Sequence, residues 1–190
     1  MRIKLVSLFL TSCILVSFTG KQEIPLTDKN IITMDTITVS VSPKEISMRL
    51  FMELIAEIES DGDYYVVNRY GMMGRYQFSH RTVRYLGYDV SRDEFLYNPR
   101  LQDEVMMAYM LYNERSLNHL IEMFDGVTIN GVKITRAGIL AGAHFAGTTG
   151  MKQYLLSYGE NTTTDANHMN IDNYIKHFSD FKLPQLSEEV

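Results

Sequence analysis

Proton transfer is the chemistry this sequence is best equipped to perform, and Glu59 is where the residues converge. Phe51, Leu54, Ile55 and Ile58 recur at the spacing of one buried helical face, and Asp61-Gly62-Asp63 follows as turn chemistry, so a helix should end near Glu59-Ser60. A carboxyl in the last turn of a helix meets the negative end of the helix dipole, which favours the protonated acid over the carboxylate. Apolar neighbours such as Ile55 and Ile58, with tyrosines nearby, add desolvation in the same direction. An acid that keeps its proton near working pH can deliver it to a leaving oxygen. Glu53 and Glu57 lie earlier on the same helix, where the terminal effect is weaker, although the helical wheel alone does not separate Glu57 from Glu59. A chemistry that pairs two carboxylates would have to draw the second from Asp61 or Asp63, and both read more simply as turn residues that cap backbone.

Other constellations are missing. The histidines (His80, His119, His144, His168 and His177) show no His-Glu-x-x-His or similar metal spacing. Asp61-Gly62-Asp63 is too short for a calcium loop and lacks the Gly and Glu at the required offsets. There is no Gly-x-Ser-x-Gly elbow and no phosphate-binding loop. The sequence therefore predicts neither a metal nor a cofactor.

The elements that must position Glu59 are mostly helices. Ser42-Pro43-Lys44-Glu45 is a helix start, with Ser as cap, Pro at the first position and Glu at the third. Residues 68–74 look irregular, broken by Gly71 and Gly74, and residues 76–86 read as helical. Asn98-Pro99 opens a helix over about residues 100–115, with Leu101, Val105, Ala108, Tyr109 and Tyr112 on one face. Residues 135–144 form a compact helix of Ala and Gly, small enough for close helix contact, and residues 151–158 and 171–178 are further short helices. The sum is a mainly α domain over residues 44–183, with a polar tail at 184–190. Residues 21–43 are polar and β-branched without a helical period, and serve as a strand, a linker or an arm packed on the domain.

Four segments fall into one order: Glu59-Ser60-Asp61-Gly62; Gly71-Met72-Met73-Gly74-Arg75-Tyr76-Gln77-Phe78; Ala141-Gly142-Ala143-His144-Phe145-Ala146-Gly147; and Asp172-Asn173-Tyr174-Ile175. Together they resemble the catalytic domain of soluble lytic transglycosylases and their phage-type lysozyme relatives. The resemblance spans about residues 46–178 and includes residues 95–102. It implies a lysozyme-like fold with helices around a glycan cleft, and cleavage of the β-1,4 bond between N-acetylmuramic acid and N-acetylglucosamine in peptidoglycan. It further implies that Glu59 alone serves as acid and base, while the substrate's 6-hydroxyl closes a 1,6-anhydro ring. By the same resemblance Ser60 orients the carboxyl, Gln77 lies near the glycan with Tyr76 and Phe78 walling the cleft, and Tyr174 faces Glu59. The sequence departs from the family at His144-Phe145, where many members carry Tyr-Asn. His144 can still donate a hydrogen bond to an acetamido group or bias Glu59; Phe145 cannot replace an Asn hydrogen bond. A hydrolytic muramidase and a non-catalytic wall-binding protein on the same fold are the alternatives.

Composition is compatible with this picture. The 190 residues are 45% hydrophobic and 22% charged, the ordinary globular mixture. Residues 1–20 read as a signal peptide: Arg2 and Lys4, then an apolar run from Leu5 to Phe18 that is short for a membrane span. Leu10-Thr11-Ser12-Cys13 also resembles a lipobox, which would tie the protein to a membrane through the single cysteine. Export to a periplasm or the medium is expected in either case. Net charge is −5, and without residues 1–20 it is −7, from 16 basic and 23 acidic residues. That balance argues against a sequence-independent nucleic-acid binder, which needs a basic surface to displace counterions.

Overall fold

A computed structural model describes residues 43–164, 169–183 and 185–186. The expectations placed on residues 1–42 (signal, lipid attachment at Cys13, arm) and on His168 lie outside these residues. The described residues belong to one compact unit, Ser40–Val190. They are mainly helical, in the order α1 (Pro43–Ser60), α2 (His80–Tyr85), α3 (Arg92–Leu96), α4 (Pro99–Phe124), β1 (Thr128–Ile129), β2 (Val132–Lys133), α5 (Arg136–Leu156) and α6 (Ile171–Phe178). None of the helices among them is long and apolar enough to cross a membrane.

The helix boundaries follow from local capping. Ser79, Asn98, Thr135 and Asn170 each accept the third backbone N–H of the helix they precede, at Thr82, Leu101, Gly138 and Asn173. Ser91 and Glu94 form a reciprocal capping box around the short α3. At the other end of α1, Asp61 and Gly62 take left-handed backbone (φ +53° and +77°). Their N–H groups close on the carbonyls of Glu57 and Ala56, at 3.2 and 3.1 Å. The helix therefore stops one residue beyond Glu59.

Six elements differ from the sequence-based expectation. Of the apolar set on α1, Phe51 and Ile55 are buried, but Leu54 and Ile58 are 44% and 39% exposed. The buried stripe runs instead through Met48, Phe51, Met52, Ile55 and Ala56, because α6 and the segment after it cover that side. The Phe51 ring meets Phe178 at 5.2 Å and Phe181 at 5.6 Å. The helix expected over 76–86 begins only at His80, since Met73 and Phe78 pair as an isolated antiparallel bridge and Gln77 has φ +50°. The helix expected to end near 115 continues to Phe124, about 39 Å in all, carried by buried Leu117, Leu120, Ile121 and Phe124. Helix α3 and the β1–β2 hairpin, whose Asn130-Gly131 turn has φ +49° and +76°, were not anticipated.

The core is a layered helix packing in which α5 touches both α4 and α6. Helix α5 is broken at Gly147 (φ +73°, ψ 162°), so it is two helical stretches joined at a sharp kink, close to the division the sequence suggested. Gly138 and Gly142 face α6: a Cβ on Gly138 would lie 2.8 Å from Ile175 Cγ2, and one on Gly142 would lie 3.1 Å from Ile175 Cγ1. Small residues here let the two helices approach closely enough to bring Tyr174 beside Glu59. Part of the expected polar tail is also tied in, since Leu186 N–H donates to the buried Glu114 carboxylate at 3.0 Å.

Candidate active site

Glu59 lines a cavity of about 650 Å³ and is the sole carboxylate among the described residues that line it. The residues around it come from α1 (Ile58, Glu59), the loop between α1 and α2 (Asn68, Tyr70, Gln77, Phe78), α4 (Tyr109), α5 (His144, Phe145) and α6 (Tyr174). Five segments far apart in sequence thus converge on one carboxyl. The carboxylates in the second half of α1 separate clearly here: Glu53 pairs with Arg75, Glu57 faces solvent, and Glu59 turns into the cavity. Asp61 and Asp63 do not line the cavity; Asp63 Oδ1 accepts the N–H of Tyr65 at 2.8 Å, as a turn residue should.

The carboxyl is addressed from one side. Tyr174 Oη donates to Glu59 Oε1 at 2.9 Å, and His144 Nε2 lies 3.7 Å from the same oxygen. No hydrogen bond to Oε2 occurs among the described residues, so that oxygen is left for a proton or a ligand. The Glu59 side chain is 22% exposed, enough to be reached from solvent. The Tyr174 phenol is raised well above its ordinary range, first by burial and then by the neighbouring Glu59, so it remains a proton donor to the carboxyl. Its ring is held between Phe145 at 4.9 Å and Phe178 at 5.6 Å, both stacked on it.

His144 is held below its ordinary value of 6.5 by burial, against the opposing pull of Glu59 and of the nearby Tyr76 carbonyl. That carbonyl favours the charged ring electrostatically, but Nδ1 makes no well-formed hydrogen bond and is otherwise buried. The rings of Phe78 and Tyr109 pack edge-on against the imidazole, at 5.6 and 5.9 Å. A neutral imidazole therefore sits beside Glu59, and no full positive charge lies against the carboxyl.

The remaining residues expected at the site divide into two groups. Gln77 lines the cavity, with its amide donating to the Gly74 carbonyl at 2.8 Å. Ser60 and Tyr76 do not line it. Ser60 Oγ donates to the Arg75 carbonyl at 2.7 Å, which ties the end of α1 to the loop bearing Gln77. Tyr76 is buried, and its hydroxyl donates to Asp103 at 2.8 Å. Burial, with Asp103 second, raises that phenol far above its usual range. Both residues act behind the cavity wall, as supports for its loop.

The key support was not recognised in the sequence as such. Gln102 on α4 is fully buried; its amide oxygen accepts the N–H of Arg75 at 2.8 Å, and its nitrogen donates to the carbonyls of Tyr64 and Leu96, each at 2.9 Å. It presses so close to Gly74 that a Cβ there would lie 2.1 Å from Gln102 Oε1. Gly74 (φ +70°) thus needs to be glycine twice over, for its backbone and for its neighbour. Arg75 completes the shelf. It pairs with Glu53, donates to Tyr64 Oη at 2.6 Å, and lies over the Tyr64 ring. Phe145, noted in the sequence beside His144, lines the cavity, and so does Tyr109, whose spacing does not distinguish a wall residue from a core one. Comparison of the chain with protein-family models, curated proteins and solved structures gave no match.

Proposed function

We propose that this chain is a peptidoglycan lytic transglycosylase on a lysozyme-like fold, cleaving the β-1,4 bond between N-acetylmuramic acid and N-acetylglucosamine with Glu59 as sole acid and base. The observation that carries the proposal is the pairing of Glu59 with Tyr174. These are the first and last members of the four-segment pattern, they are 115 residues apart, and they share a 2.9 Å hydrogen bond inside an open cavity with no second carboxylate among the described residues of its walls.

The chemistry uses what lies at the carboxyl. Glu59, protonated at Oε2, delivers that proton to the glycosidic oxygen as the bond to the anomeric carbon breaks. The aglycone leaves as an alcohol, and an oxocarbenium-like sugar remains facing a carboxylate. Tyr174 donates to Oε1 of that carboxylate and stabilises the charge as it forms. The carboxylate then takes the proton of the sugar's own 6-hydroxyl, whose oxygen bonds to the anomeric carbon. Glu59 is restored, no water is consumed, and the product is a 1,6-anhydromuramic end. Gln77 and His144 both line the cavity that would hold the acetamido groups. The expected export places such an enzyme where its substrate lies.

The test is mass spectrometry of soluble products after incubation of residues 21–190 with peptidoglycan sacculi, beside Glu59→Gln. Anhydro-muropeptides that fall by about 10³-fold in the variant are expected, within the range for loss of a general acid. Reducing-end muropeptides in their place would make the chain a hydrolase using the same acid. Sacculi bound but uncut by the native chain would make it a wall-binding protein.

A further inference from the structure

A second hollow, of about 400 Å³, lies one turn further along two of the helices that line the cavity. On α2, Thr82 lines the cavity while Tyr85 and Leu86 line the hollow; on α4, Tyr109 lines the cavity while Tyr112 lines the hollow. Both helices therefore advance three residues, about 4.5 Å, from one space to the next. A pair of nearly parallel rings links the two linings, Tyr109 from the cavity and Tyr112 from the hollow, with centroids 6.5 Å apart and planes 11° from each other.

The hollow is built around two tyrosines fixed by one another. Tyr85 meets Tyr112 edge to face at 5.5 Å, and the two hydroxyls lie 3.1 Å apart. Tyr85 is nevertheless 68% exposed, so a rigid aromatic surface faces solvent there. Ser116 also lines the hollow, and Thr148 and Lys152 are near enough to Tyr112 to act on its phenol electrostatically. A pyranose ring has the matching chemistry: a C–H face that packs on an aromatic ring, and a rim of hydroxyls that bond to phenols and side-chain alcohols. Tyrosine offers both at low entropic cost, because its ring is ordered by only two torsions.

We propose that this hollow is a distal saccharide subsite, in which the next sugar of a glycan strand lying in the cavity packs against Tyr85 and Tyr112. The inference rests on the glycan-cleaving reading above and adds to it a preference for longer strands.

The test compares the native chain with Tyr85→Ala and Tyr85→Trp. Substrates are a peptide-free muramyl tetrasaccharide, long peptide-free strands, and long strands that keep their stem peptides. Because Tyr85 is largely exposed, both variants should retain the native Tm. Tyr85→Ala should lower kcat/KM on both kinds of long strand by about three- to tenfold, through KM, and leave the tetrasaccharide unchanged. Tyr85→Trp should restore the long-strand value. Equal values for native and Tyr85→Ala on long strands, or equal losses on long and short ones, would overturn the subsite and leave the cleavage reading standing. A loss confined to peptide-bearing strands would also overturn it, by assigning the hollow to the stem peptide. A native chain that cleaves none of the three would remove the cleavage reading and the subsite with it.

Discussion

Replacing Tyr174 with phenylalanine deletes one hydroxyl and leaves its ring between Phe145 and Phe178. In the proposed mechanism the hydrogen bond to Glu59 is made to a group that becomes charged, and such bonds are worth about 1.5–3 kcal/mol. Tyr174→Phe should therefore lower kcat about 10- to 100-fold with little change in sacculus binding or Tm; equal loss of binding and turnover would assign the hydroxyl to substrate contact instead. His144 makes a different prediction, about stability and pH. Its folded value lies below the ordinary 6.5 because the ring is buried. Above that pH both folded and unfolded chains hold the ring neutral, and it contributes no pH dependence. As pH falls through 6.5 the unfolded chain takes up a proton that the folded chain resists, so stability drops until the folded value is passed. Tm measured from pH 8 to 5 should fall more steeply for the native chain than for His144→Gln in the window just below 6.5. Parallel curves would mean that other groups govern the acid limb.

At the scale of elements, the site depends on how closely α6 approaches α5. Gly142 is the contact of that approach beside His144: an added Cβ would meet Ile175 Cγ1 on α6 at 3.1 Å and Met151 Sδ, further along α5, at 2.6 Å. Gly142→Val should force the helices apart, costing about 1–3 kcal/mol as overpacking does. Because Tyr174 sits on α6 next to Ile175, it should also lengthen the Tyr174–Glu59 bond. Urea unfolding will read the first effect, and turnover of the variant at temperatures where it is fully folded will read the second. Normal turnover in the folded variant would show that α6 recovers its position by repacking Ile175. The small-residue character of residues 135–144 made this contact legible in the sequence, and the same holds for the Pro-capped starts of α1 and α4 and for α6. The Asn130-Gly131 hairpin carried a strong local signal, an Asn-Gly pair between alternating apolar residues, that the helical periodicity on either side overshadowed. Ser91 with Glu94 likewise marks α3 as a capping box. The helix expected from residue 76 fails for a tertiary reason: the loop is pinned by Gln102 from α4, which holds the Arg75 N–H, and no local pattern predicts that partner.

For the whole molecule, what was legible of the site was which residues converge, and what was not was their depth. Glu59, Gln77, His144 and Tyr174 meet at one cavity, whereas Ser60 and Tyr76 stand behind its wall, a distinction set by which way a loop folds over α4. Charge is the property that only the whole chain possesses, and it leads to a last prediction. The chain carries a net −5, and peptidoglycan is anionic through its stem carboxylates. Two like-charged bodies repel over a Debye length, about 30 Å at 0.01 M salt and about 8 Å at 0.15 M. Added salt should therefore speed the encounter with intact sacculi, in contrast to a basic enzyme, which loses attraction as salt rises. Within the cavity the contacts are short and the lining is largely uncharged apart from Glu59, so the chemical step should respond little. At fixed pH, kcat/KM on sacculi should rise severalfold between 0.01 and 0.15 M salt while kcat stays flat. An uncharged chitooligosaccharide of equal length should show no such rise, because it has no carboxylates to repel. A fall in kcat/KM with salt would mean instead that local cations such as Lys152, close to Tyr112 at the edge of the cleft, draw the strand in against the net charge.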